Sequence, residues 1–125
     1  MKTLYAILLT LTLSNTSQAA DEWTSADVWR EVVGETLIVM DWGQTRYGAA
    51  DPKQRWEEQN PWLGKHPTTK EVDRYFISWL VIHPLISHAL PSEWRKGFQS
   101  VSIFIEGVAV HSNATMAGIG YRLPF

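Results

Sequence analysis

Apolar residues recur at helical spacing in three stretches, separated by polar or proline-bearing breaks. In the first, Val28, Val32, Val33, Leu37, Ile38 and Met40 recur mostly at steps of one, three or four residues, a pattern that lines one side of an α-helix. It predicts a helix from Val28 to Arg46, capped by Ser25 or Asp27. In the second, "PTTKEVD" offers Thr68 or Thr69 as a cap with Glu71 close behind, opening a helix that reaches Leu90. Tyr75 to Pro91 carries no formal charge, and Pro84 inside it is expected to kink the helix and free a carbonyl near Leu80. The third stretch, Trp94 to Asn113, follows the tight connection "PSEWRKG".

Residues 47–70 hold Pro52, Pro61, Pro67, Gly48 and Gly64 and read as a long loop, with one helical turn around Gln54 to Gln59. Within it, Glu58, Asn60, Pro61, Gly64 and His66 form a rigid piece, because proline fixes φ and biases the preceding residue toward extended geometry. The fold class expected is mainly α: three helices, a helical hairpin at residues 70–113, and an extended C-terminal tail. A C-terminal β-hairpin competes with the last helix. Val101, Ser102 and Ile103 alternate, as do Ile119, Tyr121, Leu123 and Phe125. A membrane barrel needs about eight strands or more, and the preceding sequence supplies none.

Composition changes the picture in one respect above all. Lys2, the apolar run Leu4 to Leu13, and Ser17-Gln18-Ala19 have the order of a secretory leader. Residues 1–19 are therefore expected to be a signal peptide, and residues 20–125 a single small helical domain. There is no cysteine, so an exported domain of this size cannot be stapled by disulfides. A net charge of −2 and the absence of a basic block give no electrostatic basis for binding nucleic acid. Seven tryptophans suit places where one end of the ring is dry and the other wet.

Segments 75–91 and 98–113 lie near the lower length limit of about 17 residues for a membrane span, while Arg30, Glu31 and Glu35 weigh against the first helix. If that helix spans, Arg46, Lys53, Arg55, Lys65, Lys70 and Arg74 face the cytoplasm, as the positive-inside rule requires. The domain is expected to be membrane-embedded in the inner membrane of a Gram-negative cell, with a periplasmic location as the alternative. Its expected partners are membrane lipid and either a second copy or a larger membrane protein.

The stretch "TLIVMDWGQTR" ends an apolar run in an aspartate. Small and polar residues share a stripe on each helix, and polar groups in an apolar setting must find one another. Asp41, His83, Glu106 and Asn113 are therefore expected to meet between the helices, with Trp42 turned toward lipid or a neighbouring subunit. Such a cluster serves either as a clasp that fixes helix register or as a site for a divalent metal or a proton. No H-E-x-x-H spacing occurs. His66, His88 and His111 are isolated, Glu57 and Glu58 read as solvated loop acids, and Ser87 near His83 lacks a third partner for a hydrolase triad.

At "DWGQTR", "EEQNPWLGKHP", "VDRYF", "ALPSEWR" and "IEGVAVHSN" the chain resembles small uncharacterised proteins of bacteria and their phages, which are short exported or membrane-associated helical proteins. The resemblance spans Met40 to Gly120. It implies that Asp41, Asn60, Pro61, Gly64, His66 and Glu106 belong to a recurring scaffold, and it brings no activity with it. The role expected is non-enzymatic, exercised through helix contacts. The alternative is a metal- or proton-binding protein, or a hydrolase, built on the inter-helix cluster.

Overall fold

The computed structural model describes residues 21–115, 120–122 and 124. Residues 1–20, where the signal peptide is expected, and residues 116–119, 123 and 125 of the tail lie outside the described residues. The chain forms three helices: α1 (Ser25–Ala49), α2 (Thr69–Ala89) and α3 (Ser92–Thr115). No described residue is in a strand, so the segment from Val101 to His111 is helical and the C-terminal hairpin is excluded there. Burying one side of a long apolar segment against α1 outweighs the local preference of its β-branched residues.

Both α1 and α2 begin with a reciprocal capping box. The Thr24 hydroxyl accepts from the Asp27 backbone, whose carboxylate accepts from the Thr24 backbone; Thr68 and Glu71 repeat the arrangement. The cap of α1 is thus Thr24 rather than Ser25 or Asp27, and the helix runs past Arg46 to Ala49. α2 continues through Pro84 without interruption, and α3 starts at Ser92, two residues before Trp94.

Trp42 pairs with Asp73 and Glu31 with His83, so α2 runs antiparallel to α1. Gln99 meets Asp27 and Val110 meets Gln44, so α3 runs parallel to α1. α2 and α3 are consecutive and opposed, but each packs chiefly on α1 and little on the other. The hairpin is two arms laid on a shared central helix.

The apolar core is small: Ile38, Trp42, Val72 and Phe76, flanked by Ala49, Leu63, Tyr75, Trp79 and Leu80. Trp42 is buried, contrary to its expected outward position. It lies one helical turn beyond Ile38 on the same stripe, and its indole N–H donates to Asp73 at 2.8 Å, where Arg46 also donates at 2.8 Å.

The loop 51–68 contains no helical turn at Gln54–Gln59. Its order comes from side chains that replace a helix's own hydrogen bonds. The Asn60 backbone donates to Glu58 at 2.7 Å, the Trp62 backbone donates to the Asn60 side chain at 3.0 Å, and the Glu58 backbone donates to Lys65 O at 2.9 Å. Gly64 takes φ +74°, a region open to glycine at no steric cost. His66 is exposed and sits 3.9 Å from Glu57. Trp56 lies against the backbone of Gly48, where an added Cβ would come within 2.5 Å of the ring.

Candidate functional site

Polar side chains fill the space between the helices at two levels. The first lies where α1 and α3 begin and α2 ends. Glu31 and Glu35, one turn apart on α1, both face His83 from α2. His83 Nδ1 lies 2.9 Å from Glu31 Oε1 and 3.1 Å from Glu35 Oε1. The second oxygen of Glu31 accepts from Ser87 Oγ at 2.7 Å and from Gln99 Nε2 at 2.7 Å. Gln99 also donates to Asp27 O at 3.1 Å and accepts from Arg30 Nε at 3.2 Å. The imidazole stacks on Phe98 and meets Trp79 edge-on. Glu35 Oε1 and His83 Nε2 are buried without a hydrogen-bond partner.

Arg95 closes this level from below. Its guanidinium is fully enclosed and donates to the carbonyls of Ser87 (2.8 Å), Leu90 (3.1 Å), Asp21 (2.9 Å) and Glu22 (3.4 Å). It lies 3.5 Å from Asp27 Oδ2 and stacks over Trp23. One side chain thus satisfies carbonyls at the end of α2 and ties down the stretch of chain entering α1. Asp27 in turn pairs with Arg30. Just outside, Asp21 accepts from the Ser92 backbone at 2.7 Å, a bond that holds its carboxyl below the usual range.

The second level lies toward the loop. Asn113 Nδ2 donates to Asp41 Oδ1 at 2.9 Å and to Gln44 Oε1 at 3.3 Å. Gln44, fully buried, donates to Val110 O and to the Tyr121 hydroxyl, each at 3.2 Å. The carboxyl of Glu106 faces that of Asp41 closely enough to pair with it, and its other oxygen is buried without a partner. From the loop, Glu58 reaches the Thr45 hydroxyl. Glu58 is no solvated acid. Burial raises its carboxyl above the ordinary range, against the opposing pull of the Asn60 and Gln59 backbone N–H groups and Thr45.

Of the four residues expected to converge, Asp41, Glu106 and Asn113 do so, and His83 does not. With α2 antiparallel to α1, a residue late on α2 must fall opposite the early part of α1. His83 therefore meets Glu31 and Glu35, about 15 and 9 Å along the axis from Asp41 at 1.5 Å per residue. Sequence reasoning missed Glu31, Glu35, Gln99 and Arg95 as interior groups. The usable signal was the repeated spacing of four: Glu31 with Glu35, His83 with Ser87, and Arg95 with Gln99. His88 lies beside Trp23 and His111 is exposed, so neither joins a centre.

No protein-family model, no curated protein and no solved structure matches this chain. Its function must be read from its own residues.

Proposed function

We propose that the protein is a small membrane protein, a three-helix bundle with lipid against its outer faces, which acts through helix contacts rather than as an enzyme. The observation that carries this reading is an inversion of polarity. The enclosed side chains include Arg95, His83, Gln44, Gln99, Thr45 and Ser87, while the outer faces present Trp29 and Val32 on α1, Ile77, Val81 and Leu85 on α2, and Val101, Phe104, Ile105 and Val108 on α3. Facing water, that surface would be costly. A docked protein covers one side of a bundle. Apolar residues on the outer faces of all three helices call for a medium that surrounds it.

Charge placement supports the same reading. Asp21, Glu22, Glu93 and Lys96 are exposed at one end, and Lys53, Arg55, Lys65, Lys70, Glu71 and Arg74 at the other. Between these ends no charged residue of α2 or α3 is exposed. The uncharged outer length of α3, from residue 97 to 115, is about 27 Å at 1.5 Å per residue, close to the hydrocarbon thickness of about 30 Å. Exposed Trp29 and Trp94 flank one end, and Tyr47 and Trp62 the other. No helix among the described residues is long and apolar enough by itself to cross a membrane. Each helix carries inward polar side chains that its neighbours satisfy, and it is the outward residues that lipid would meet. The basic α1–α2 loop supports an orientation with that end in the cytoplasm, in the inner membrane of a Gram-negative cell.

A shallow apolar groove on the outer face of α3, lined by Ile103, Phe104, Gly107 and Val108, gives a neighbouring helix a place to approach. The neighbour is a second copy or a larger membrane protein. Cell fractionation of the full chain tests the membrane reading. The protein should stay in the membrane pellet after an alkaline carbonate wash, and recovery in the osmotic-shock supernatant would overturn it.

A further inference from the structure

We infer that Glu31, Glu35 and His83 form a binding site for one divalent first-row transition ion of the Zn²⁺ or Mn²⁺ kind. One donor atom from each residue lies within 4.8 Å of the other two. An ion held about 2.1 Å from each donor in tetrahedral geometry sets neighbouring donors about 3.4 Å apart. The nitrogen–oxygen separations of 2.9 and 3.1 Å need to open by only a few tenths of an ångström to reach that spacing. The three side chains already converge.

Charge gives an independent reason. Among the described residues, the only ion-pair partner of Glu31 or Glu35 within 4 Å is His83. Arg30 and Arg95 are engaged by Asp27 instead. An imidazolium balances one carboxylate of two, and Glu35 Oε1 stands buried beside it with no hydrogen-bond partner. A divalent ion balances both carboxylates and uses the Nδ1 lone pair as its third bond. Glu31 is already braced as a ligand, since Ser87 and Gln99 occupy its second oxygen and leave Oε1 aimed at His83.

One nitrogen suits Zn²⁺ and two carboxylates suit Zn²⁺ or Mn²⁺. Calcium asks for six to eight oxygens, and copper(I) for sulfur. Asp41 and Glu106 offer no comparable set, since amide and hydroxyl donors already occupy Asp41 and no imidazole is present. The three ligands converge in the same way whether lipid or water surrounds the bundle.

The purified full chain, stripped with chelator, is titrated with ZnCl₂ or MnCl₂ by calorimetry, and its metal content is measured after desalting. One ion per chain is expected. Glu35→Gln keeps the shape of a partly exposed side chain and should weaken binding by at least ~100-fold. Ser87→Ala, which removes a brace on Glu31 rather than a ligand, should cost about 10–100-fold, and Glu106→Gln should change nothing. Helix content by circular dichroism confirms that each variant is folded, and Ser87→Ala serves alone if Glu35→Gln does not fold. Folded wild-type protein that retains neither ion, unchanged binding in folded Glu35→Gln, or loss of binding in Glu106→Gln overturns the assignment.

Discussion

The centre around Glu31 and the centre around Asp41 lie on the same central helix, yet they are satisfied by different means. Around Glu31 the carboxylates meet cationic or cation-capable groups: His83, and beside it Arg30 and Arg95 on Asp27. Around Asp41 the donors are neutral, namely Asn113, Gln44 and Thr45, and the nearest ionisable neighbours are further acids, Glu106 and Glu58. Two acids that face each other away from bulk water ionise together only at a cost, and a shared proton relieves it. The contrast shows that burial alone does not decide what an interior carboxyl becomes; the register of the helices does, by choosing its neighbours.

The largest expected effect is that of Arg95→Met. It strips four carbonyls of their donor and removes one of the two arginines on Asp27. A loss of about 3–5 kcal/mol is expected, read as a shift in the chemical denaturation midpoint. No single change around Asp41 should match it. If Asp41→Asn does, the contrast between the centres fails.

Next come Gln99→Ala and Asn113→Ala, one in each centre. Gln99→Ala takes one of two donors from Glu31 and leaves Arg30 Nε without its acceptor, Asn113→Ala leaves Gln44 Oε1 without its donor, and each should cost about 1–3 kcal/mol. If the centres are independent, the double variant should show the sum to within about 0.5 kcal/mol. A larger coupling would make them one network. Smaller still are the caps. Thr68→Ala should cost about 1 kcal/mol. Thr24→Ala should cost more, because its Asp27 partner also orients Arg30 and Arg95. Equal thermal shifts would detach that cap from the Glu31 centre.

The smallest effects are those of pH, and they carry opposite signs. Glu58 has its carboxyl raised by burial, so its contribution is fully present below the unfolded value near 4.5 and fades as pH rises through its folded value. Asp51, pulled down to about 2 by Arg55 and by backbone N–H groups, contributes above 3.8 and loses that as pH falls toward 2. Melting curves across pH should therefore gain stability on the neutral side in Glu58→Gln. In Asp51→Asn they should lose the acid-side dependence.

The three helices were legible because a spacing of three and four residues survives even where the outer face is as apolar as the inner one. The loop was legible in part: the turn-forming Asn60, Pro61 and Gly64 could be read, but the helical turn expected at Gln54–Gln59 could not compete with Trp56 settling on Gly48. Asp41, Glu106 and Asn113 were found by asking which polar residues share a stripe with small ones. His83 was misplaced because that question ignores direction. A helix that returns antiparallel reverses the order of its partners, and periodicity carries no sign. Trp42 was misjudged for a related reason: tryptophan suits a lipid flank, but Ile38 one turn earlier had already fixed which way that face points.

The indole of Trp56 rests on helix α1 at the one residue there that leaves it room. Any exchange of Gly48 for a larger residue, even alanine, would evict the ring and with it the chain on either side, which already shows Lys53 and Arg55 to solvent. Trypsin would then have a freed substrate where it now meets a held one. A digestion time course would thus distinguish a seated connector from a loose one before any change in the helices themselves became visible.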